Sequence, residues 1–175
     1  MDKVEIRFSG SGGQGLILSA KILAAALVDE GNNVALSQSY EPVSRGGLSR
    51  SDLVVTKGEA AYPLTDGLDF LMILDGAAVK ASDGLLNKDC LVLVDAELVP
   101  NPPIGDFTIK SLPFIETARK LGNKRVANII ALSALVSISK ICAEDTLEKV
   151  VKAKTPAKFA RLNMEALEAG RKLGA

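Results

Sequence analysis

Gly10-Ser11-Gly12-Gly13-Gln14-Gly15 stands between an alternating apolar segment and a long apolar run. A G-x-G-x-x-G pattern is thereby placed between a predicted strand and a predicted helix, the context that the motif requires. Gly10, Gly12 and Gly15 permit a tight turn and close backbone approach. The first amides of the helix, with its dipole behind them, form a site for phosphate. A dinucleotide fold also needs a carboxylate ~20 residues further on, at the end of the second strand, to hold a ribose. Here that strand ends Leu36-Ser37-Gln38-Ser39, and no carboxylate comes before Glu41. NAD binding is weakened accordingly. The loop suits a phosphate or nucleotide, and it equally suits a tight turn that brings a helix onto a sheet or admits a partner subunit.

A second constellation is Tyr40-Glu41-Pro42-Val43-Ser44-Arg45-Gly46-Gly47-Leu48-Ser49-Arg50. It leaves the carboxyl end of the second strand, so it lies on the same edge as the glycine loop. Two arginines bracketing Gly46-Gly47 can grip phosphate or carboxylate bidentately, and a solvated surface turn is the plainer alternative. Asp75 and Asp95 each end an apolar run. There they either face the same crevice or cap the next helix.

Several chemistries are missing. The chain has no histidine, which removes the commonest general acid-base group and zinc ligand along with the Ser-His and Cys-His nucleophile systems. Cys90 and Cys142, with no C-x-x-C pairing, cannot build an iron-sulfur or zinc site within the chain. They read as buried thiols in a reducing compartment. No catalytic residue and no metal ligand is assigned. The candidate binding residues are Gly10, Gly12, Gly13, Gln14, Gly15, Arg45, Gly46 and Gly47.

The elements that must position these residues follow from periodicity. Val4, Ile6 and Phe8 alternate as on a half-buried strand. Leu16 to Glu30 is helical and apolar almost all round, so it expects cover on more than one side. Lys21 falls inside it, and the uninterrupted apolar stretch is too short for a membrane span. Gly31 closes the helix and Val34 to Ser37 reads as a strand, the order of a parallel βαβ unit. Ser49 to Thr56, Phe70 to Leu74, Leu91 to Val94 and Thr108 to Lys110 read as further strands. Beyond them come helices over 113–121, 126–142, 144–152 and 157–173. Ser133 and Ser137 keep one face of the second of these helices, 126–142, narrow enough for close helix packing, within the chain or against another subunit. The expected architecture is a three-layer α/β/α, Rossmann-like, mostly parallel sheet with a helical C-terminal third.

Composition agrees with one domain over residues 1–175, since 175 residues with 47% apolar content suit a single core. The 21 Lys and Arg balance 21 Asp and Glu. They are unevenly spread, with 8 basic and 15 acidic side chains over 1–109 against 13 and 6 over 110–175. Each part can attract the other or meet a partner of opposite charge. Neutrality and few aromatics argue against a nucleic-acid partner. The amino-terminal residues MDKVEIRFSG lack a signal-peptide core, so a cytoplasmic protein is expected.

Together, Gly10-x-Gly12-Gly13-Gln14-Gly15, Gln38-Ser39-Tyr40 with Arg45-Gly46-Gly47-x-Ser49, Tyr62-Pro63 and Asn123-Lys124-Arg125-Val126-Ala127-Asn128 resemble the gamma subunit of 2-oxoacid:ferredoxin oxidoreductases. The similarity runs from about Val4 to Leu135, and the Gln-Ser-Tyr triplet and the Tyr-Pro pair look most like the 2-oxoglutarate branch. The indolepyruvate oxidoreductase beta subunit shares both glycine motifs. The resemblance implies a complex that converts a 2-oxoacid and coenzyme A to acyl-CoA and carbon dioxide, with electrons passed to ferredoxin. It puts thiamine diphosphate and iron-sulfur clusters on alpha, beta and ferredoxin-like delta chains, and no redox cofactor on this chain alone. Coenzyme A, carrying several phosphates, is the ligand implied for the glycine loop and Arg45. The chain departs from the family's usual Tyr-Gly-Pro-Glu at Glu41 and Val43, which bears on specificity wherever that loop touches substrate. A stand-alone NAD(P)-binding oxidoreductase is the competing expectation, and a homo-oligomeric binding module a third.

Overall fold

The computed structural model describes residues 3–41, 46–58 and 64–175. Its strands are β1 (Lys3–Ser11), β2 (Asn33–Tyr40), β3 (Leu48–Thr56), β4 (Leu68–Ile73), β5 (Leu86–Asp95) and β6 (Thr108–Leu112). Its α-helices are α1 (Leu16–Asp29), α2 (Phe114–Lys120), α3 (Ala127–Ser139), α4 (Glu144–Lys154) and α5 (Ala160–Gly174). A 3₁₀ helix, Gly76–Ser82, follows β4. One sheet has the order β2-β3-β1-β4-β5-β6. β1, β4, β5 and β6 pair in parallel, while β3 runs antiparallel between β1 and β2. The expected α/β class, mainly parallel sheet and helical C-terminal part are all present.

The strand, glycine loop, helix and strand at the amino-terminal end have one arrangement that periodicity did not show. β1 and β2 point the same way but are not neighbours, because β3 lies between them. β2 and β3 are separated by only the 41–47 segment, a length that favours direct antiparallel pairing. The hairpin then offers its second strand to β1.

Val4, Ile6 and Phe8 face the helices, opposite Val55, Leu53 and Ser51 of β3. The other face of β1, expected to be half-exposed, is covered too. Glu5, Arg7 and Ser9 are all buried. The 3₁₀ helix Gly76–Ser82 packs over β1, β3 and β4 and shuts off this side. Its Asp75 N-cap accepts from the Ala77 amide at 2.9 Å. Arg7 reaches beneath it and meets Asp52 through Nε to Oδ1 at 2.7 Å and Nη2 to Oδ2 at 2.8 Å. The remaining guanidinium protons go to Thr65 Oγ1, the Ala81 carbonyl and Ser82 Oγ. A buried charge survives only when paired and hydrogen-bonded in this way.

α3 is buried over almost its whole circumference. Ser133 and Ser137 do permit the expected close approach, and the partner is α5 of the same chain. Ser133 Oγ donates to the Leu167 carbonyl at 2.6 Å. Gly170 lies so close that an added Cβ would overlap the Ile130 carbonyl and stand 2.6 Å from Ser133 Cβ. We expect Gly170→Ala to destabilise the fold by about 1–3 kcal/mol through overpacking. Urea denaturation should show a lowered midpoint with an unchanged slope. α3 stops at Ser139 and not at Cys142, because Lys140 turns left-handed at φ 52° and ends the hydrogen-bond ladder. No helix of the described residues is long and apolar enough to cross a membrane. The two oppositely charged parts of the chain touch through Arg119 with Glu97 and Lys149 with Asp29. Most tail charges pair within the tail instead.

Candidate functional site

The carboxyl ends of β1, β4 and β5 form one edge, and the loop Gly12–Gly15 leads from β1 into α1 there. Two side chains fix the loop. Gln14 folds back so that its Oε1 accepts from the Ser11 amide and its Nε2 donates to the Leu74 carbonyl, both at 2.8 Å. A Cβ on Gly10 would collide with that amide, which explains the first glycine of the motif. Gln14 thus ties β1 to the end of β4, and both atoms of its amide are engaged within the chain. Gly15 is the α1 N-cap, left-handed at φ 78°, and Asn128 from the start of α3 donates to its carbonyl at 3.2 Å. Asn128 also donates to Ser19 Oγ at 3.3 Å, locking two helix starts together.

The second constellation does arrive at the same edge. The Gly12 amide donates to the Gly47 carbonyl at 2.9 Å, and Gly10 and Ser11 stand opposite Ser49 and Leu48 in the sheet. Gly46 and Gly47 therefore adjoin the glycine loop. Arg45, with Pro42, Val43 and Ser44, lies outside the described residues, as do Tyr62 and Pro63. Glu41 has a visible role in the hairpin, since its Oε2 accepts from the Leu48 amide at 3.1 Å.

Beside the loop is a crevice of about 320 Å³, lined by Gly13, Gln14, Leu74, Asp95, Lys124 and Arg125. Asp95 borders it but is fully engaged. Its Oδ1 accepts from the Glu97 and Leu98 amides and its Oδ2 from Ile115 at 2.7 Å. Asp75 and Asp95 are thus capping groups, the second of the two roles foreseen for them. A second hollow of about 420 Å³ lies on the other side of the loop, against Gly13, Gly15, Leu18, Lys21 and Ser49.

The electrostatics of this edge favour an anion. No side chain caps the start of α1 and its first turn holds no acidic residue, so the positive end of the helix is uncompensated. Gly13 is open, with nothing within 4 Å of an added Cβ. Lys124 and Arg125 add charge at the crevice. Neither belongs to the glycine loop or to the Arg45-Gly46-Gly47 segment. Their segment stands in the sequence as a recognisable motif, but more than 100 positions separate it from the glycine loop, and the packing of α3 on α1, with the Asn128 contact to Gly15, brings it there.

The thiols converge on nothing. Cys90 packs against one face of the sheet and Cys142 in the cluster on the other. Burial pushes both up to about 12, far from the thiolate that a cluster needs. This donor set does not fit an iron-sulfur cluster.

With this geometry in view, likeness to known proteins is informative. Over 173 residues the chain is 35% identical to the 2-oxoglutarate synthase subunit KorC of Archaeoglobus fulgidus, covering 98% of this chain and 88% of that one. The gamma subunit of a keto/oxoacid ferredoxin oxidoreductase from Geobacter sulfurreducens superposes with a TM-score of 0.86 at 35% identity, covering 98% of both chains. The 2-oxoglutarate:ferredoxin oxidoreductase of Magnetococcus marinus, solved with 2-oxoglutarate, coenzyme A and succinyl-CoA bound, shares the fold at a TM-score of 0.87 and 23% identity. There the match covers 99% of this chain and 31% of that one. Residues 5–173 match the family described as pyruvate ferredoxin/flavodoxin oxidoreductase, and the chain belongs to that family.

Proposed function

We propose that this chain is the gamma subunit of a cytoplasmic 2-oxoglutarate:ferredoxin oxidoreductase, acting as one domain and inactive by itself. The observation that carries this reading is the 35% identity to a 2-oxoglutarate synthase subunit over nearly the whole of both chains. The complex would convert the 2-oxoacid and coenzyme A to acyl-CoA and carbon dioxide, with two electrons passed to ferredoxin. Decarboxylation and electron transfer would be supplied by thiamine diphosphate and iron-sulfur clusters on alpha, beta and delta chains. The part of this chain is to bind and orient. The uncapped start of α1, the open Gly13 backbone, Lys124 and Arg125 suit the phosphates of coenzyme A, and Arg45 is the cation next to Gly46 in the sequence. Gly10 and Gln14 act at one remove, by holding the loop in place. An NAD(P) reading is less well supported, because the one carboxylate near the end of β2, Glu41, is bound to its own hairpin.

The test is kinetic and uses the assembled complex. Arg45→Ala and the double variant Lys124→Ala with Arg125→Ala should each raise the KM for coenzyme A by about 10-fold or more, the loss of one or two charge-assisted contacts. The KM for 2-oxoglutarate should stay put. Unchanged coenzyme A kinetics together with lost assembly would show that this edge only packs against other subunits. Calorimetric titration of the isolated chain with NADH and NADPH tests the rival directly, and binding of either would displace the gamma-subunit reading.

A further inference from the structure

β2 is an edge strand of eight residues, NVALSQSY, with no charge, proline or glycine. Natural sheets usually blunt such an edge with lysine, proline, a bulge or short length, because its free backbone groups invite another strand. The opposite edge, β6, has five residues and carries Lys110. The contrast marks β2 as an edge that expects pairing.

Its free groups can be named. The Glu41 amide donates to the Leu48 carbonyl, and in the same register Ser39, Ser37 and Ala35 pair with β3 through their backbone groups. Alternation along an antiparallel ladder then points the N–H and C=O of Val34, Leu36, Gln38 and Tyr40 away from the sheet.

α1 packs over β2 and β3 and adds an independent observation. Its Leu16, Ala20, Leu23 and Leu27 are buried, and so are Ser19, Ile22 and Ala26 on an adjoining flank. The residues left over include the stripe Ile17, Lys21, Ala24 and Val28, spaced i, i+4, i+7, i+11, all at least partly exposed and apolar apart from Lys21, with Leu18, Ala25 and Asp29 beside it on the outer surface of the helix. Val28 is 54% exposed.

Strand and stripe share one centre. Ser37 lies ~13 Å along β2 from Asn33, which at ~1.5 Å per helical residue is the level of about residue 22 when counted back from the turn at Gly31. The stripe is centred between Ile22 and Leu23. A single two-fold axis beside Ser37 would therefore pair Leu36 with Gln38 and Val34 with Tyr40 across the edge. The same axis would set Ile17 of one copy against Val28 of the other, and Lys21 against Ala24. This self-complementarity is what a second copy requires.

We propose that two copies of this chain join through antiparallel β2–β2 pairing, with the two α1 helices packed side by side, to give one continuous sheet. In analytical ultracentrifugation the full chain should have twice its 18.4 kDa mass. Gln38→Pro removes an outward N–H and no bond to β3, and Val28→Asp places a carboxylate at the helix contact. Each should raise the dissociation constant by about 100-fold or more while the circular dichroism spectrum stays native. Ile17→Cys combined with Val28→Cys should give a disulfide-linked dimer on mild oxidation, since these positions are ~16 Å apart within one helix and cannot pair there. A monomeric wild-type chain, a dimer that survives both single variants, or a double-cysteine variant that stays uncross-linked would each overturn the proposal.

Discussion

Arg7→Met is expected to lower the stability of the folded chain by about 3–5 kcal/mol, because it strands Asp52 as an unpaired buried carboxylate. Arg7 and Asp52 have side-chain exposures of 2% and 4%, and the guanidinium engages both carboxylate oxygens. Thr65 Oγ1 still offers Asp52 a hydrogen bond at 3.3 Å but supplies no charge. At roughly 2–4 °C per kcal/mol for a chain of this size, the melting temperature should fall by roughly 6–20 °C. Asp52→Leu alone should be comparably harmful, since it leaves the arginine unpaired. The double variant with Arg7→Met should recover a substantial part of the loss, as replacing both members of a buried pair is often nearly neutral. Equal losses in single and double variants would mean that Thr65, Ser82 and the Ala81 carbonyl, and not the ion pair, dominate the cluster.

Gly15→Ala should cause the second large effect, and it joins stability to the site. The residue is left-handed at φ 78°, a conformation that costs an L-residue roughly 1–2 kcal/mol. An added Cβ would also overlap the Asn128 amide. Relief requires Asn128 to leave the Gly15 carbonyl and Ser19, at a further cost of about 1 kcal/mol for hydrogen bonds lost in a buried setting. Denaturation should therefore show a loss of about 2–3 kcal/mol. On the proposed coenzyme A reading, the same variant should raise the KM for coenzyme A in the assembled complex, since the start of α1 moves with its cap. A companion variant, Gly31→Ala, is also left-handed, at φ 77°, with nothing near an added Cβ, and it lies at the other end of α1. It should lose stability and leave that KM unchanged.

Local features of the site were legible early. The glycine loop between strand and helix, the aspartates as caps and the small face of α3 all follow from periodicity and residue type within a few positions, and the structure contains each of them. Gln14, a candidate binding residue, closes its amide on Ser11 and Leu74. The target is the carbonyl of a residue 60 positions away, for which no local pattern exists. Lys124 and Arg125 likewise lie too far along the chain from the loop for a local pattern to join them. The small face of α3 leaves packing within the chain and against another subunit both open, and most of its cover is α5 of its own chain, met through Gly170 and Gly174. Hydropathy reports that a face is buried and is silent about what buries it.

By itself the sequence determined the α/β class, the loop, the absence of histidine and of a cysteine cluster, and the likeness to its family. These are properties of short segments or of residue inventory, and each is set by forces acting within a turn or a strand. The tertiary structure alone decided that β3 enters between β1 and β2, that Arg7 is sealed beneath a 3₁₀ helix, and that α3 carries Asn128, Arg125 and Lys124 to the glycine loop. The last two join positions 45 to more than 100 residues apart. They depend on which buried surfaces and hydrogen-bonding groups can be satisfied together, a condition that only the closed chain imposes.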